Sequence, residues 1–340
     1  MKNPKILTAF LVLFLLVFGL AGCAQPAGTT EEPMESSTST TTTTATTAAT
    51  TAATTATTPA ATEAESLAIT VTDMTGREVK LDAPAERIVA LTASDCEILF
   101  AVGAGHTLVG RGEFCDYPEK ALEAPSVQSG NDTNIEQIIA LDPQVVLMST
   151  MAQSEEQVAS LENAGIKVVV TDAHDIEGVY TAIELIGAIV SQDEEAAQVV
   201  TSMKSTFDDI AARSTGDGEQ TIYFEVSPLE WGLWTAGKGT FMDELATMLG
   251  LTNVFADVEG WAEVSEEQVI ERDPDYIVTI TMYFGEGPTP VDEILGRKGW
   301  QDMKAIVNST VFNADSNEIS RPGPRLADAI IKLHAFVYED

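Results

Sequence analysis

The chain contains one short pattern twice, at residues 136–147 and 267–278, and each copy carries Glu-Gln, then Asp-Pro, then an apolar run. Each copy predicts a short helix followed by a strand, because proline disfavours the helical conformation of the residue before it. The copies lie too far apart for a solenoid, whose repeats are roughly 20–50 residues long. We therefore predict two similar α/β lobes, and two lobes leave a cleft between them.

The rest of the folded part alternates apolar runs with helical patterns, which predicts a central, mostly parallel sheet in each lobe. Residues 175–214 are almost all helix formers, with a second capping pattern at Ser191, and we predict that they join the lobes as a single long helix. The predicted segments are a signal peptide (1–22), a disordered tether (23–65), an N-terminal lobe (66–174), the connecting helix (175–214) and a C-terminal lobe (215–340).

The first residues indicate export. Lys2 and Lys5 precede an apolar core that is shorter than the roughly 20 apolar residues of a spanning helix and that ends in small residues. The sequence Leu20-Ala21-Gly22-Cys23 resembles the site at which bacterial lipoproteins are acylated on cysteine and then cleaved. We therefore predict an extracytoplasmic protein that is anchored to a membrane through acylated Cys23, at the cell surface or in a periplasm. Residues 36–62 contain only Ser, Thr, Ala and Pro59, which indicates a disordered tether.

Composition excludes several classes of partner. The formal net charge of −35 repels nucleic acid and anionic lipid surfaces, so neither is expected to bind. His106, His174 and His334 have no metal-ligand spacing to one another or to a cysteine, and we predict no metal and no other cofactor. Cys96 and Cys115 are the thiols that remain after lipidation, and both a disulfide and two separate thiols are open at this point.

Two local motifs have a structural interpretation. Residues 232–239 nearly match a phosphate-binding loop, but Gly239 stands where a magnesium-binding hydroxyl is needed. We interpret them as a tight turn between a strand and a helix, with glycines that let the backbone approach a ligand. Ser94 and Glu97 match a capping box, which predicts that a helix begins there.

Glu136 and Glu267 occupy equivalent positions in the two copies of the repeated pattern, in the predicted first turn of each helix. Carboxylates stabilise a helix N-terminus by a few tenths to about 1 kcal/mol, so one interpretation is compensation of the helix dipole. The other interpretation is that each lobe presents one anionic docking point to a basic partner.

Six further motifs carry a family resemblance and lie at residues 87–91, 97–105, 115–118, 134–143, 234–241 and 321–325. Through them the chain resembles the class III periplasmic binding proteins, the substrate-binding lipoproteins of ABC importers for cobalamin and iron chelates. The resemblance covers about residues 69–338 and implies two lobes bridged by a helix, a ligand in a shallow cleft and no catalytic activity. It also implies docking onto a membrane permease through one glutamate of each lobe, and Glu136 and Glu267 match those positions.

The resemblance also implies which residues contact the ligand. Phe114, Tyr117, Trp234 and Trp261 correspond to aromatic contacts with a flat corrin face. Gly130 and Ser149 depart from that pattern, since the cobalamin-binding relative has tryptophan at both places. Arg111 and Arg321 are assigned to the ligand site as well, where a guanidinium would clamp a carboxylate or catecholate, although a structural ion pair is an equal interpretation of either.

We therefore expect a monomeric, lipid-anchored receptor that captures a corrinoid and delivers it to an ABC permease. A ferric siderophore or haem is the alternative ligand. A surface adhesin or sensor is the alternative from another class of function, and an enzyme would need several converging Cys or His ligands that the sequence lacks.

Overall fold

The computed structural model describes residues 68–130, 132–150 and 154–339. The predicted signal peptide, the lipidated Cys23 and the predicted tether lie outside the described residues. Within the described ranges, no helix combines the length and the apolar character that crossing a membrane requires.

A five-stranded parallel sheet forms the N-terminal half, as predicted. The strand order is β5-β4-β3-β6-β7, and β1 and β2 form a separate antiparallel hairpin. Gly76 has a φ of 84° in the hairpin turn, a conformation that glycine adopts without strain. The elements are β1 (Ile69–Thr72), β2 (Glu78–Leu81), β3 (Ile88–Ala90), α1 (Ala93–Ala101), β4 (Leu108–Gly112), β5 (Ser126–Val127), α2 (Ile135–Ala140), β6 (Val145–Met148), α3 (Glu155–Asn163) and β7 (Lys167–Val170).

The predicted connecting helix over 175–214 is two helices, α4 (Ile176–Ile189) and α5 (Asp193–Arg213). Ser191 separates them with a left-handed φ of 54°. The two helices pack closely at this turn: a Cβ on Gly187 of α4 would lie 2.5 Å from the Ala196 side chain of α5. The prediction of an unbroken helix is therefore wrong, because this turn and this close contact interrupt it. A single helix, α5, still leads into the C-terminal half.

The C-terminal half contains a four-stranded parallel sheet in the order β10-β8-β12-β13 and an antiparallel pair, β9 and β11. The elements are β8 (Thr221–Glu225), β9 (Leu233–Ala236), α6 (Phe241–Met248), β10 (Thr252–Asn253), β11 (Trp261–Val264), α7 (Glu266–Arg272), β12 (Tyr276–Thr279), α8 (Pro290–Leu295), α9 (Lys304–Val307), β13 (Val311–Asn313), α10 (Ser316–Ile319) and α11 (Leu326–Tyr338).

The repeated sequence pattern has the same structure in both halves. Each copy is a short helix followed by the strand beside the central strand of its sheet. The aspartates of the two Asp-Pro pairs, Asp142 and Asp273, both adopt a left-handed φ, of 48° and 44°. Proline disfavours the right-handed helical conformation of the residue before it, so each helix ends at the same place. The repeat thus predicts the local structure correctly.

One apolar core extends through both halves. Ile88 of β3, Ile183 of α4, Phe207 of α5, Phe224 of β8 and Leu333 of α11 belong to it, and each is at most 3% exposed. Burying one side chain of this size stabilises a fold by roughly 1.5–3 kcal/mol. Since α4, α5 and α11 share this core with both sheets, the two halves are held against each other.

Candidate functional site

Each parallel sheet has one point at which successive strands are added on opposite sides of a central strand. In the N-terminal sheet β4 and β6 flank β3, and in the C-terminal sheet β10 and β12 flank β8. Ligands of open α/β sheets bind in the crevice beyond the carboxyl ends of the strands at such points. A ligand site is therefore expected at the loops that follow β3 and β6, or at those that follow β8 and β12.

A cavity of about 410 Å³ lies at the first of these points. Phe114 lines it and is 72% exposed, so its ring can contact a flat apolar ligand. Arg321, from the C-terminal half, lines it as well, so the cavity brings together two residues that the sequence assigned to ligand binding. The rest of the wall comes from residues 92–95 after β3, Ser149 after β6, residues 171–173 after β7, Ala182 of α4, Ser320 and Pro322.

Asp95 is a buried carboxyl in the wall of this cavity, with 1% of its surface exposed. Thr171 Oγ1 donates to one carboxylate oxygen at 2.6 Å, and the Thr92 hydroxyl donates to the other. Burial raises the pKa of Asp95 to about 6, although the two hydroxyl donors oppose this shift. Thr92 is also the N-cap of α1, since its side chain accepts from the Asp95 N–H. The predicted capping box at Ser94 and Glu97 is therefore wrong, because the N-cap is Thr92, two residues earlier.

Glu97 instead binds two arginines of the C-terminal half. Arg325 donates to its carboxylate through Nε at 2.9 Å and Nη2 at 2.6 Å, and Arg321 donates through Nη1 at 2.8 Å. Arg321 Nη1 also donates to Asp116 Oδ1 at 2.7 Å. Two guanidinium groups and two carboxylates thus neutralise each other in one network that joins the halves. Sequence reasoning missed this role of Glu97, because its partners lie more than 200 residues away.

The loop that carries Phe114 is tied to the same network. The Cys115 thiol donates to the Thr92 carbonyl at 3.1 Å, and the Arg325 guanidinium lies 4.1 Å from the centre of the Tyr117 ring. Burial opposes the ionisation of Asp116, but the hydrogen bond and charge of Arg321 outweigh it and lower the pKa of Asp116. Tyr117, which the sequence assigned to ligand binding, packs on Arg325 and does not line the 410 Å³ cavity.

Arg111 also lies outside the lining of that cavity. It is at the carboxyl end of β4, where its Nη1 donates to the Gly112 carbonyl at 3.2 Å. Its Nε is buried and has no hydrogen-bond partner among the described residues. Of the two arginines considered as anion clamps, Arg321 is thus already neutralised by carboxylates, and Arg111 is turned toward the backbone of its own loop.

Trp234 and Trp261 lie on the antiparallel pair of β9 and β11. The register pairs Trp234 with Glu263 and Trp261 with Ala236, so both indole rings are on one face of the pair. Trp234 is 41% exposed, whereas Trp261 packs edge-on against Phe241 with ring centroids 5.5 Å apart. Trp234 therefore offers an open aromatic surface. Neither tryptophan lines the 410 Å³ cavity.

The turn predicted over residues 232–239 is shorter than expected: Leu233–Ala236 are β9, and a tight turn before α6 follows them. A Cβ on Gly237 would lie 2.1 Å from the Val258 carbonyl oxygen, so this glycine lets the chain approach its own backbone. Gly239 has a φ of 77°, which favours glycine. The predicted tight backbone at Gly237 and Gly239 is therefore confirmed, and at Gly237 the close neighbour is the chain itself.

A second cavity, of about 400 Å³, lies at the corresponding point of the C-terminal sheet. Residues 228–230 after β8 and residues 281–284 after β12 line it, together with Glu286 and Glu293. Tyr283 and Phe284 are 44% and 86% exposed, so both rings offer open aromatic surface at this cavity. Trp231, on the loop that follows β8, is 77% exposed.

Glu136 and Glu267 lie in the first turns of α2 and α7, as predicted, and both are exposed. Each helix ends near the amino edge of its sheet: Arg87, before β3, donates to the carbonyl of Asp142 after α2. In the C-terminal half, Asp275 after α7 accepts from the first residue of β8. Since a helix in a parallel sheet runs opposite to the strands, each glutamate begins its helix toward the carboxyl edge, where the cavities lie.

The two cysteines of the folded part do not form a disulfide. Cys96 and Cys115 are both free and buried. The pKa of the Cys96 thiol is raised, first by its hydrogen bond with Cys115 and then by burial. The described part of the chain contains no group of three His, Cys, Asp or Glu side chains that is arranged to hold a metal ion.

Known proteins that resemble this chain are substrate-binding proteins. The family model described as periplasmic binding protein matches residues 88–318. An uncharacterized ABC transporter substrate-binding lipoprotein of Bacillus subtilis, YvrC, is 30% identical over 334 residues, which cover 96% of each chain. A vitamin B12-binding protein of Salmonella choleraesuis is 32% identical over 197 residues, which cover 57% of this chain and 72% of that protein.

A solved structure shares the fold along most of the chain. It is described as a possible iron-binding, periplasmic solute-binding protein from Staphylococcus epidermidis. It is 29% identical, with a TM-score of 0.63, and the match covers 75% of this chain and 99% of that chain. The predicted fold class, two α/β lobes with mostly parallel sheets, agrees with this likeness and with the two sheets described above.

Proposed function

We propose a function for this chain from the premise that it belongs to the periplasmic binding protein family. The membership confirms the family resemblance of the sequence motifs. Its role is that of the substrate-binding protein of an ABC transporter of the vitamin B12 and iron-chelate class. It binds its cargo outside the cytoplasmic membrane and releases it chemically unchanged, so we assign it no catalytic activity.

The ligand that we propose is a corrinoid, and the 410 Å³ cavity carries this proposal. A corrin ring has flat apolar faces, which suit the exposed Phe114 ring and the open surface of Trp234. Its rim carries amide groups, whose N–H donors suit the hydroxyl and carboxylate oxygens of residues 92–95 and 171–172. Similarity to a vitamin B12-binding protein supports the same ligand.

A ferric siderophore or haem is the second candidate. Two observations favour it: the likeness to the possible iron-binding protein, and the presence of Arg321 in the cavity wall. This candidate requires an anionic ligand to compete with Glu97 and Asp116 for Arg321, since both carboxylates already accept from that guanidinium.

We further propose that acylated Cys23 anchors the protein, that residues 23–65 tether it, and that Glu136 and Glu267 dock a monomer onto the permease. The matched positions and the exposure of the two glutamates support the docking role. A basic surface on the permease is the expected counterpart, because one exposed carboxylate from each half attracts a complementary charge.

Binding is tested by isothermal titration of the full-length protein in detergent with cobalamin, cobinamide, haemin and a ferric siderophore. We expect cobalamin or cobinamide to bind most tightly. Tight binding of only haemin or the siderophore would move the assignment to the second candidate. If none of the four ligands binds, the proposed ligand class is wrong.

Docking is tested by charge reversal. Glu136→Lys and Glu267→Lys should abolish ligand uptake by cells while leaving the affinity for the ligand unchanged. Glu194→Lys is the matched control, because Glu194 is also an exposed acid in the first turn of a helix, α5. It lies near the opposite, amino edge of the N-terminal sheet, since the Ile189 carbonyl just before α5 accepts from the Ala85 N–H just before β3. Equal loss of uptake in all three variants would indicate a helix-stability effect and contradict docking.

A further inference from the structure

The charge of the one cation in the cavity wall is already compensated. Arg321 is the sole Lys or Arg among the described residues that line the 410 Å³ cavity. Its Nη1 donates to Glu97 at 2.8 Å and to Asp116 at 2.7 Å, and its Nη2 donates to Asn317 at 2.7 Å. Since Arg325 shares Glu97, the network holds two positive and two negative groups and gives the cavity no net positive charge.

Two further carboxylates line the same cavity without a guanidinium or ammonium partner among the described residues. Asp95 accepts hydrogen bonds from the hydroxyls of Thr92 and Thr171, which are neutral. Asp172 accepts one from the Thr150 hydroxyl, and His174 Nε2 lies 3.6 Å from its Oδ2. Hydroxyl donors satisfy these oxygens but leave their charge in place, so the wall is negative at neutral pH.

The second cavity adds no positive charge. Among its described lining residues there are three carboxylates, Glu230, Glu286 and Glu293, and neither lysine nor arginine. Glu293 is paired with the buried Arg297, which also binds Glu225, so one guanidinium there faces two carboxylates. Both carboxyl-edge cavities thus favour the same sign of ligand charge.

We propose that this site selects its ligand by charge: it accepts an uncharged or cationic ligand that presents amide N–H donors, and it discriminates against the same ligand when one amide is replaced by a carboxylate. This inference rests on the proposed function as a corrinoid-binding protein and names Asp172 and Asp95 as specificity-determining residues. Amide donors fit the acceptor-rich wall, whereas a carboxylate meets like charges and finds no free guanidinium among the described lining residues.

The expected effect is large enough to measure. A ligand carboxylate at about 6–10 Å from one ionised aspartate, at an effective dielectric constant of about 20, weakens binding by roughly tenfold to a hundredfold. The measurement compares cobalamin with its monocarboxylic acid derivative, in which one side-chain amide is hydrolysed, by titration of the full-length protein at pH 7.5. We expect the carboxylate derivative to bind at least about tenfold more weakly.

The variant Asp172→Asn tests whether the weaker binding of the carboxylate derivative is due to the charge of the cavity wall. Asp172 is on a loop, and an asparagine oxygen still accepts from Thr150, so the variant should fold. We expect it to reduce the ratio of the two dissociation constants by several fold. Asp209→Asn is the matched control: Asp209 is exposed on α5, and its removal changes the net charge equally but should leave the ratio unchanged.

The outcomes separate this inference from the function on which it rests. Equal binding of the two corrinoids, or tighter binding of the carboxylate, overturns charge selection but leaves the corrinoid assignment intact. If neither corrinoid binds, the proposed ligand is wrong, and the same titration compares haemin, which carries carboxylates, with its uncharged dimethyl ester. Tighter binding of the ester then supports selection by charge, whereas tighter binding of haemin, or no binding of either, removes the inference.

Discussion

Ionised Asp95 should destabilise the folded protein at neutral pH, and Asp95→Asn should relieve this. Its pKa is about 6 in the folded protein, against an ordinary value of 3.8, because burial disfavours its charge. One pKa unit corresponds to about 1.36 kcal/mol, so the ionised group costs the fold about 3 kcal/mol. Between about pH 4 and pH 6 the folded state binds more protons than the unfolded state. The stability contributed by this group therefore falls as the pH rises through that window, and the full cost is present above it.

An asparagine is shaped like the protonated acid, and the hydroxyls of Thr92 and Thr171 can reorient to suit its amide. Urea unfolding of the wild type and Asp95→Asn at pH 4.5 and pH 7.5 measures the difference. We compare the free energy of unfolding of Asp95→Asn with that of the wild type at each pH. We expect this difference to be about 2 kcal/mol more in favour of the variant at pH 7.5 than at pH 4.5. For the exposed control Asp209→Asn, the difference from the wild type should be the same at both pH values. The same result for Asp95→Asn would refute the reasoning, because it would mean that the carboxylate is solvated or charge-compensated.

Two other predictions concern the interior. Glu97→Ala should lower the free energy of unfolding by about 3–5 kcal/mol, because it leaves two partly buried guanidinium groups without their shared carboxylate. Asp116→Ala, whose side chain is 47% exposed, should cost less than about 1 kcal/mol in the same urea titration, and similar losses would contradict the network. Cys96 and Cys115 should resist a thiol reagent in the folded protein and react as two thiols in urea, since both are buried. Prompt reaction before unfolding would contradict their burial.

The sequence predicts what depends on local chemistry. The Asp-Pro pairs end α2 and α7, and Glu136 and Glu267 lie in the first turns of these helices. Each of these is decided by residues within about one helical turn, whose conformational preferences act wherever the rest of the chain lies. The two sheets follow from such units, because alternating strands and helices leave few arrangements other than parallel sheets.

The sequence fails where a residue has a distant partner. Glu97 has the spacing of a capping residue from Ser94, yet two arginines more than 200 positions away bind it. The predicted helix over 175–214 breaks at Ser191 because α4 and α5 pack against each other, with Gly187 at the contact. Tyr117 stays a predicted ligand contact, and its ring packs on Arg325, a partner more than 200 positions away that no local pattern indicates. No local signal distinguishes these outcomes.

Asp95 connects the stability and the selectivity of this protein. No cation among the described residues pairs with it: the Thr92 hydroxyl caps α1, and the Glu97 network together with the shared apolar core joins the halves. A buried carboxylate with no cationic partner among the described residues is expected where function requires it. Asp95→Asn should therefore gain stability and lose discrimination between amide and carboxylate ligands together. If it gains stability but keeps the discrimination, then Asp172 alone carries the selection, and the buried charge of Asp95 needs another reason.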